Sequence, residues 1–107
     1  MKTPTSNTIT ASHRFHRLTV KIGNEFQIDL PSNRTTGHKW EADYDKSHMQ
    51  LSSSTYNLVQ GKTGGGGTES FTFTPSEKGV TLIRMLYKRP WETTKAKEAV
   101  YEVTIVD

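Results

Sequence analysis

Alternation of apolar and polar residues is the feature that most constrains the fold of this chain. Short runs in which every second residue is apolar recur from residue 18 to residue 105, and turn-forming Gly, Pro and Asn separate them. A period of two is typical of strands with one buried face, and no window has convincing helical periodicity. We therefore expect an all-β protein. The apolar members of the runs are Leu18, Val20 and Ile22; Phe26, Ile28 and Leu30; Trp40, Ala42 and Tyr44; Phe71 and Phe73; Ile83, Met85 and Tyr87; and Tyr101, Val103 and Ile105.

The number of runs and the length of the chain predict the architecture. A chain of 107 residues is long enough for one domain. Six runs, a further strand candidate around residues 56–59 and an edge strand in the N-terminal segment give about seven to eight strands, which predicts an immunoglobulin-like β-sandwich of two antiparallel sheets. A small barrel is the alternative. Trp40 is expected to anchor the core. Residues 1–13 are polar and are predicted to form a flexible tail, which leaves residues 14–107 as the domain.

Composition excludes several classes of protein. The chain has no cysteine, so disulfides, thiol nucleophiles and cysteine-ligated metals are excluded. No apolar run is long enough for a membrane helix, and the first residues lack the apolar stretch of a secretion signal, so we expect a cytoplasmic protein. The net charge of +3 is small and the basic residues are scattered, which argues against nucleic-acid binding. The four histidines form no evident catalytic or metal-binding pattern, so we predict neither an enzyme nor a cofactor.

Three connections between the predicted strands are unusual. Residues 31–40 form a long polar segment, residues 61–68 contain four consecutive glycines, and residues 88–92 place Trp91 beside Arg89 and Pro90. Residues 61–63 look like the end of a phosphate-binding loop, but the upstream glycine of that motif is missing. A glycine backbone can approach a partner chain closely, and a loop Trp beside Arg has the composition of a binding hot spot. In a sandwich all three connections leave from one end, so we predict a single binding surface.

Taken in order, Asn33-Arg34-Thr35-Thr36-Gly37, Gly64-Gly65-Gly66-Gly67 and Arg89-Pro90-Trp91 resemble the three loops of the chagasin family of cysteine-protease inhibitors, which includes the amoebiasins. Family members carry an Asn-Pro-Thr-Thr-Gly-aromatic loop, a Gly-x-Gly-Gly loop and an Arg-Pro-Trp loop. The resemblance covers about residues 14–107. It implies an immunoglobulin-like fold and tight, reversible inhibition of papain-like proteases by blocking their active-site cleft. We further expect a monomer when free, located in the cytoplasm and able to reach vesicles or lysosome-like compartments that contain the protease.

The resemblance assigns a role to each loop. Thr35 and Thr36 would enter the cleft beside the catalytic cysteine and histidine, the glycines would run along the non-primed part of the cleft, and Arg89 and Trp91 would lie on its primed side. The implied protease-binding residues are Asn33, Arg34, Thr35, Thr36, Gly37, His38, Gly64, Gly65, Gly66, Gly67, Arg89, Pro90 and Trp91.

Two residues depart from the family pattern. Arg34 stands where the family has Pro, and His38 stands where it has an aromatic residue. Loss of Pro frees φ at position 34, so we predict a less pre-organised loop. The alternative function is a generic immunoglobulin-like interaction module, which would use the sheet faces or other loops and would tolerate loss of the glycine run.

Overall fold

Eight β-strands form two four-stranded sheets in the computed structural model, which describes residues 8–10, 15–58 and 66–107. The immunoglobulin-like sandwich predicted from the alternating runs is confirmed. No helix in these described ranges is long and apolar enough to cross a membrane. The strands are β1 (Thr8–Thr10), β2 (Phe15–Lys21), β3 (Phe26–Asn33), β4 (Lys39–Tyr44), β5 (Met49–Leu58), β6 (Gly66–Pro75), β7 (Gly79–Lys88) and β8 (Lys97–Val106).

The strand directions differ from the expectation at two sheet edges. The first sheet has the order β1-β3-β6-β5 and the second has the order β2-β8-β7-β4. β1 lies parallel to β3 and β2 lies parallel to β8, whereas the other pairs are antiparallel. The prediction of two antiparallel sheets is therefore wrong for these two edge pairs. Alternation reports which face of a strand is buried, but it carries no information about the direction of a neighbour that is distant in sequence.

The core lies between the inward faces of the two sheets. Alternating residues of β3, β6, β7 and β8 are buried, as their sequence period predicts. Trp40 is buried as expected, and its indole Nε1 donates to the carbonyl of Pro31 at 2.9 Å. The apolar core residues are Phe26, Ile28, Leu30, Trp40, Met49, Phe71, Phe73, Ile83, Met85, Tyr87, Ala99, Tyr101, Val103 and Ile105.

Two strands have bounds other than those predicted. β5 begins at Met49, well before the predicted segment at residues 56–59, because its exposed Ser and Thr residues hide the alternation of this edge strand. β2 ends at Lys21, and Ile22 lies exposed in the following turn instead of on the buried face. Of the predicted tail, residues 8–10 form β1 and the others lie outside the described residues, so the domain boundary at residue 14 stays a prediction.

Three connections start from the same end of the sandwich. Asn33 at the end of β3 pairs with Gly66 at the start of β6, and Leu58 at the end of β5 pairs with Gly67. Lys39 at the start of β4 pairs with Lys88 at the end of β7. We call residues 34–38 loop 1, residues 59–65 loop 2 and residues 89–96 loop 3. Loop 2, with Gly64 and Gly65, lies outside the described residues.

Candidate functional site

Loop 1 begins with a single 3₁₀ turn whose ends are capped by motif residues. The turn spans Arg34–Thr36, and the side-chain oxygen of Asn33 accepts hydrogen bonds from the Thr35 hydroxyl and, at 3.0 Å, from its backbone N–H. Asn is a favoured residue for this capping role. Gly37 closes the turn with φ 84°, and its N–H donates to the carbonyl of Arg34 at 3.0 Å. A left-handed residue at this position favours glycine, so Asn33 and Gly37 together specify the turn.

Side-chain hydrogen bonds hold the second half of loop 1. The Thr36 hydroxyl donates to the carbonyl of Asn33 at 2.9 Å and lies 2.8 Å from Nδ1 of His38. Because a hydroxyl has one proton, Nδ1 of His38 then carries the hydrogen of the second bond. The His38 ring stacks on Tyr87 with a centroid distance of 5.2 Å. His38 therefore packs against Tyr87 as an aromatic ring, and it also fixes the Thr36 side chain.

Loop 3 is joined directly to loop 1. Nε of Arg89 donates to the carbonyl of Thr36 at 3.1 Å, and a nitrogen of the same guanidinium lies 3.2 Å from the Glu92 carboxylate. The N–H of Glu92 donates to the carbonyl of Arg89 at 3.0 Å and closes the turn that contains Pro90. The Trp91 ring reaches 3.5 Å from where a β-carbon on Gly37 would lie, yet Trp91 is 74% exposed. The two loops thus present one continuous surface.

The described glycines of the predicted site lie at the start of β6. Gly66 pairs with Asn33 and Gly67 pairs with Ser32, so the described end of the glycine run lies beside loop 1. Gly67 is buried, and a β-carbon there would lie 2.5 Å from the carbonyl oxygen of Asn57 and 2.9 Å from the Tyr56 ring. Packing therefore requires glycine at position 67. Its predicted contact with a protease stays a prediction.

A buried carboxylate lies beneath loop 1. Glu69 is 2% exposed, and its Oε2 accepts from the Ser32 hydroxyl at 2.7 Å and from the Trp40 N–H at 3.2 Å. Its Oε1 lies 3.2 Å from the Arg34 guanidinium. Glu69 is not among the site residues predicted from the sequence. The available signal was its position, because Glu69 occupies an inward register position of β6, two residues before Phe71, where an apolar residue is expected.

A second polar cluster lies at the opposite end of the sandwich. The Ser47 hydroxyl donates to Asp45 at 2.7 Å, and this hydrogen bond is the main cause of the lowered pKa of Asp45. Nδ1 of His48 also lies 3.1 Å from Asp45. Hydrolysis by such a trio needs an imidazole that takes the proton of the serine, but here the serine proton goes to the carboxylate. Among the described residues, no group of three or more His, Asp or Glu side chains is placed to hold a metal ion.

Similarity to known proteins identifies the family of this chain. The model of the chagasin family of peptidase inhibitors, I42, matches residues 19–105. The chain belongs to the chagasin family. The predicted membership of this family is thereby confirmed, and this chagasin-family protein is a protease inhibitor and not an enzyme.

Individual relatives are similar to this chain in sequence and in fold. Chagasin of Trypanosoma cruzi is 32% identical over 92 residues, which cover 80% of this chain and 84% of that protein. Amoebiasin-2 of Entamoeba histolytica is 29% identical over 90 residues, which cover 81% of this chain and 72% of that protein. The crystal structure of a cysteine protease inhibitor from Entamoeba histolytica is similar with a TM-score of 0.83 and 25% identity, covering 92% of this chain and 94% of that chain.

Proposed function

We propose that this chagasin-family protein inhibits papain-like cysteine proteases by filling the active-site cleft with loops 1, 2 and 3. The hydrogen bond between Arg89 and Thr36 carries the proposal, because it makes two loops that are distant in sequence into one rigid surface. Rigid loops lose little conformational freedom on binding, which favours high affinity. Inhibition in this way needs no nucleophile, since the protease is occluded and the inhibitor is not consumed.

Loop 1 has the properties of the segment that faces the catalytic residues. Thr35 and Thr36 are exposed at its tip, while their polar groups are bonded within the chain. The Thr36 carbonyl accepts from Arg89, so its orientation is fixed by loop 3. Attack by a thiolate requires a carbonyl in near-attack geometry, and a carbonyl held elsewhere does not react. We propose that the fixed backbone of loop 1 lies beside the catalytic cysteine without being cleaved.

Trp91 has the properties of an anchor on the primed side of the cleft. It is exposed although it is the largest apolar side chain of loop 3, and exposed Trp beside Arg is typical of interface hot spots. A surface depression of about 470 Å³ lies between Trp91, His38 and residues 92–96. We propose that a side chain from the wall of the protease cleft enters this depression while the indole packs on the protease surface.

Titration of papain with the purified protein tests the proposal. We expect complete and reversible loss of activity, and Trp91→Ala should weaken inhibition by about 2 kcal/mol or more, or about thirtyfold. Leu82→Ala is the matched control, because Leu82 is an exposed apolar residue of β7 outside the three loops. No loss of papain activity at micromolar inhibitor would refute the function, whereas equal inhibition by the folded Trp91 variant would remove only Trp91 from the site.

A further inference from the structure

We propose that Glu69 and Arg34 form an ion-paired latch that fixes loop 1 in its inhibitory conformation. Both are positioning residues for the tip of loop 1 and act through its backbone instead of through contact with the catalytic residues. The inference rests on the proposed function, which uses a rigid loop 1. It adds a residue of β6 to the inhibitory site and gives Arg34 a defined role.

Glu69 ties together both ends of loop 1. Its Oε2 accepts from Ser32, which precedes the loop, and from the N–H of Trp40, which follows it. The carboxylate is buried, and a buried charge is costly unless hydrogen bonds and an opposite charge compensate it. The Ser32 hydroxyl and the Trp40 N–H satisfy one carboxylate oxygen, Oε2. The second oxygen faces Arg34 at 3.2 Å.

Arg34 supplies the opposite charge from within loop 1. Its guanidinium also lies over the Tyr56 ring of β5, 4.5 Å from the ring centre, so the side chain spans from the loop to two strands. If loop 1 left its present conformation, Glu69 would lose its counterion while remaining buried. The carboxylate is buried while the Arg34 side chain is 45% exposed, so the pair is half-buried. A buried carboxylate that loses its counterion is still unfavourable, so the ion pair and the conformation of loop 1 stabilise each other.

The geometry of position 34 offers a matched test of this latch. Residue 34 is the first residue of the 3₁₀ turn, a position that accepts proline and its fixed φ. Asn33 before it is extended, with φ −129° and ψ 100°, in the β region that a residue before proline favours. Proline therefore restrains the turn through the backbone, whereas arginine restrains it through Glu69. Replacing arginine by proline exchanges one restraint for the other, and in both a Pro and a Met variant Glu69 keeps its two hydrogen-bond donors and loses its counterion.

Two variants of Arg34 separate positioning from direct contact with the protease. Arg34→Met removes the charge and keeps an apolar stem over Tyr56, and Arg34→Pro removes the charge and restrains φ. We expect the Met variant to inhibit papain about tenfold more weakly than wild type, and the Pro variant to stay within about threefold. If Arg34 acts by touching the protease, both variants lose affinity alike. If it has no role, neither variant changes. Either result overturns the latch.

Glu69→Gln tests the other half of the pair. The amide can keep its oxygen on Ser32 and Trp40, but its NH₂ group then faces the donors of Arg34. We expect inhibition to weaken about tenfold in the wild-type background and much less in the Arg34→Pro background. An equal loss in both backgrounds would contradict the latch. Glu102→Gln is the control, since it breaks an exposed ion pair with Arg17 and should leave inhibition unchanged.

A readout without protease keeps this inference separate from the proposed function. The N–H of Thr35 donates to the Asn33 side chain and the N–H of Gly37 donates to the Arg34 carbonyl, so their hydrogen exchange measured by NMR reports the conformation of loop 1 in the free protein. We expect faster exchange in Arg34→Met and in Glu69→Gln, and wild-type rates in Arg34→Pro. If both Arg34→Met and Glu69→Gln keep wild-type hydrogen-exchange rates, the latch is wrong. Papain inhibition by the wild type would then still support the proposed function. If Glu69→Gln does not fold, the two Arg34 variants decide alone.

Discussion

The hydroxyl of Tyr101 is predicted to destabilise the protein, and removing it should therefore raise stability. Tyr101 lies on the inward face of β8 with no exposed surface, and its ring stacks on His16 with a centroid distance of 5.1 Å. Among the residues that the structure describes, none gives the hydroxyl a hydrogen-bond partner. Tyr101→Phe deletes this one oxygen and leaves the ring in the core.

The magnitude follows from the burial of the hydroxyl. Burying an unpaired hydroxyl costs roughly 1–3 kcal/mol in proteins, and the lost packing contacts of the oxygen offset part of the gain. We expect Tyr101→Phe to increase the free energy of unfolding by about 1 kcal/mol. In a domain of this size that corresponds to a rise in melting temperature of roughly 4–8 °C.

Tyr87→Phe is the matched control for the same chemical change. The Tyr87 hydroxyl accepts from the N–H of Asn33 at 2.9 Å and donates to its carbonyl at 3.2 Å. Deleting a bonded hydroxyl leaves both groups of Asn33 without this partner, so stability should fall by about 1 kcal/mol. Because Asn33 caps loop 1, papain inhibition should weaken as well, whereas Tyr101→Phe should leave inhibition unchanged.

Urea unfolding followed by tryptophan fluorescence measures both variants. The midpoint should rise for Tyr101→Phe and fall for Tyr87→Phe, with the same slope against urea for both. A decrease of more than about 0.5 kcal/mol for Tyr101→Phe would refute the reasoning, because it would mean that the hydroxyl makes a favourable interaction in the folded state.

Two further predictions concern alkaline stability and the glycine run. Burial raises the pKa of the Tyr101 hydroxyl above its ordinary value of 10.0, so the unfolded chain loses this proton before the folded chain does, and the free energy of unfolding falls as the pH rises above about 10. Thermal melts between about pH 9 and 11 should show a smaller loss of stability for Tyr101→Phe than for wild type, and parallel curves would contradict this. Gly67→Ala should cost about 1–3 kcal/mol in urea unfolding, since the β-carbon would overlap Asn57 and Tyr56. An unchanged midpoint would show that the backbone relaxes freely there.

The sequence predicted the inward faces of the strands well because burial on one face leaves a period of two. It missed most of β5, whose edge position exposes Ser52, Ser53 and Ser54 and removes the apolar signal. It also missed the parallel direction of β2, since pairing with β8 joins segments from the two ends of the chain. Local patterns contain no information on such distant pairing.

The loop motifs predict the candidate site, but they do not predict the Arg34–Glu69 contact that lies beneath loop 1. Asn33, Gly37 and Trp91 belong to short motifs that can be read along the chain. The contact between Arg34 and Glu69 joins residues on different elements, and only the register between β3 and β6 brings them together. The expectation that Arg34 makes loop 1 less ordered considered the backbone alone. The proposed latch would restrain the loop through the Arg34 side chain, and the lower pre-organisation expected from loss of proline stays a prediction.

The three loops differ in their tolerance of changes in length. Loops 2 and 3 each connect antiparallel neighbours within one sheet, β5 with β6 and β7 with β8, so residues can be inserted at their tips without disturbing strand pairing. Loop 1 instead carries the chain from one sheet to the other, so its length sets how the sheets meet at this end. Selection for new target proteases is therefore expected to change the length of the two hairpin loops and to change loop 1 only by substitution.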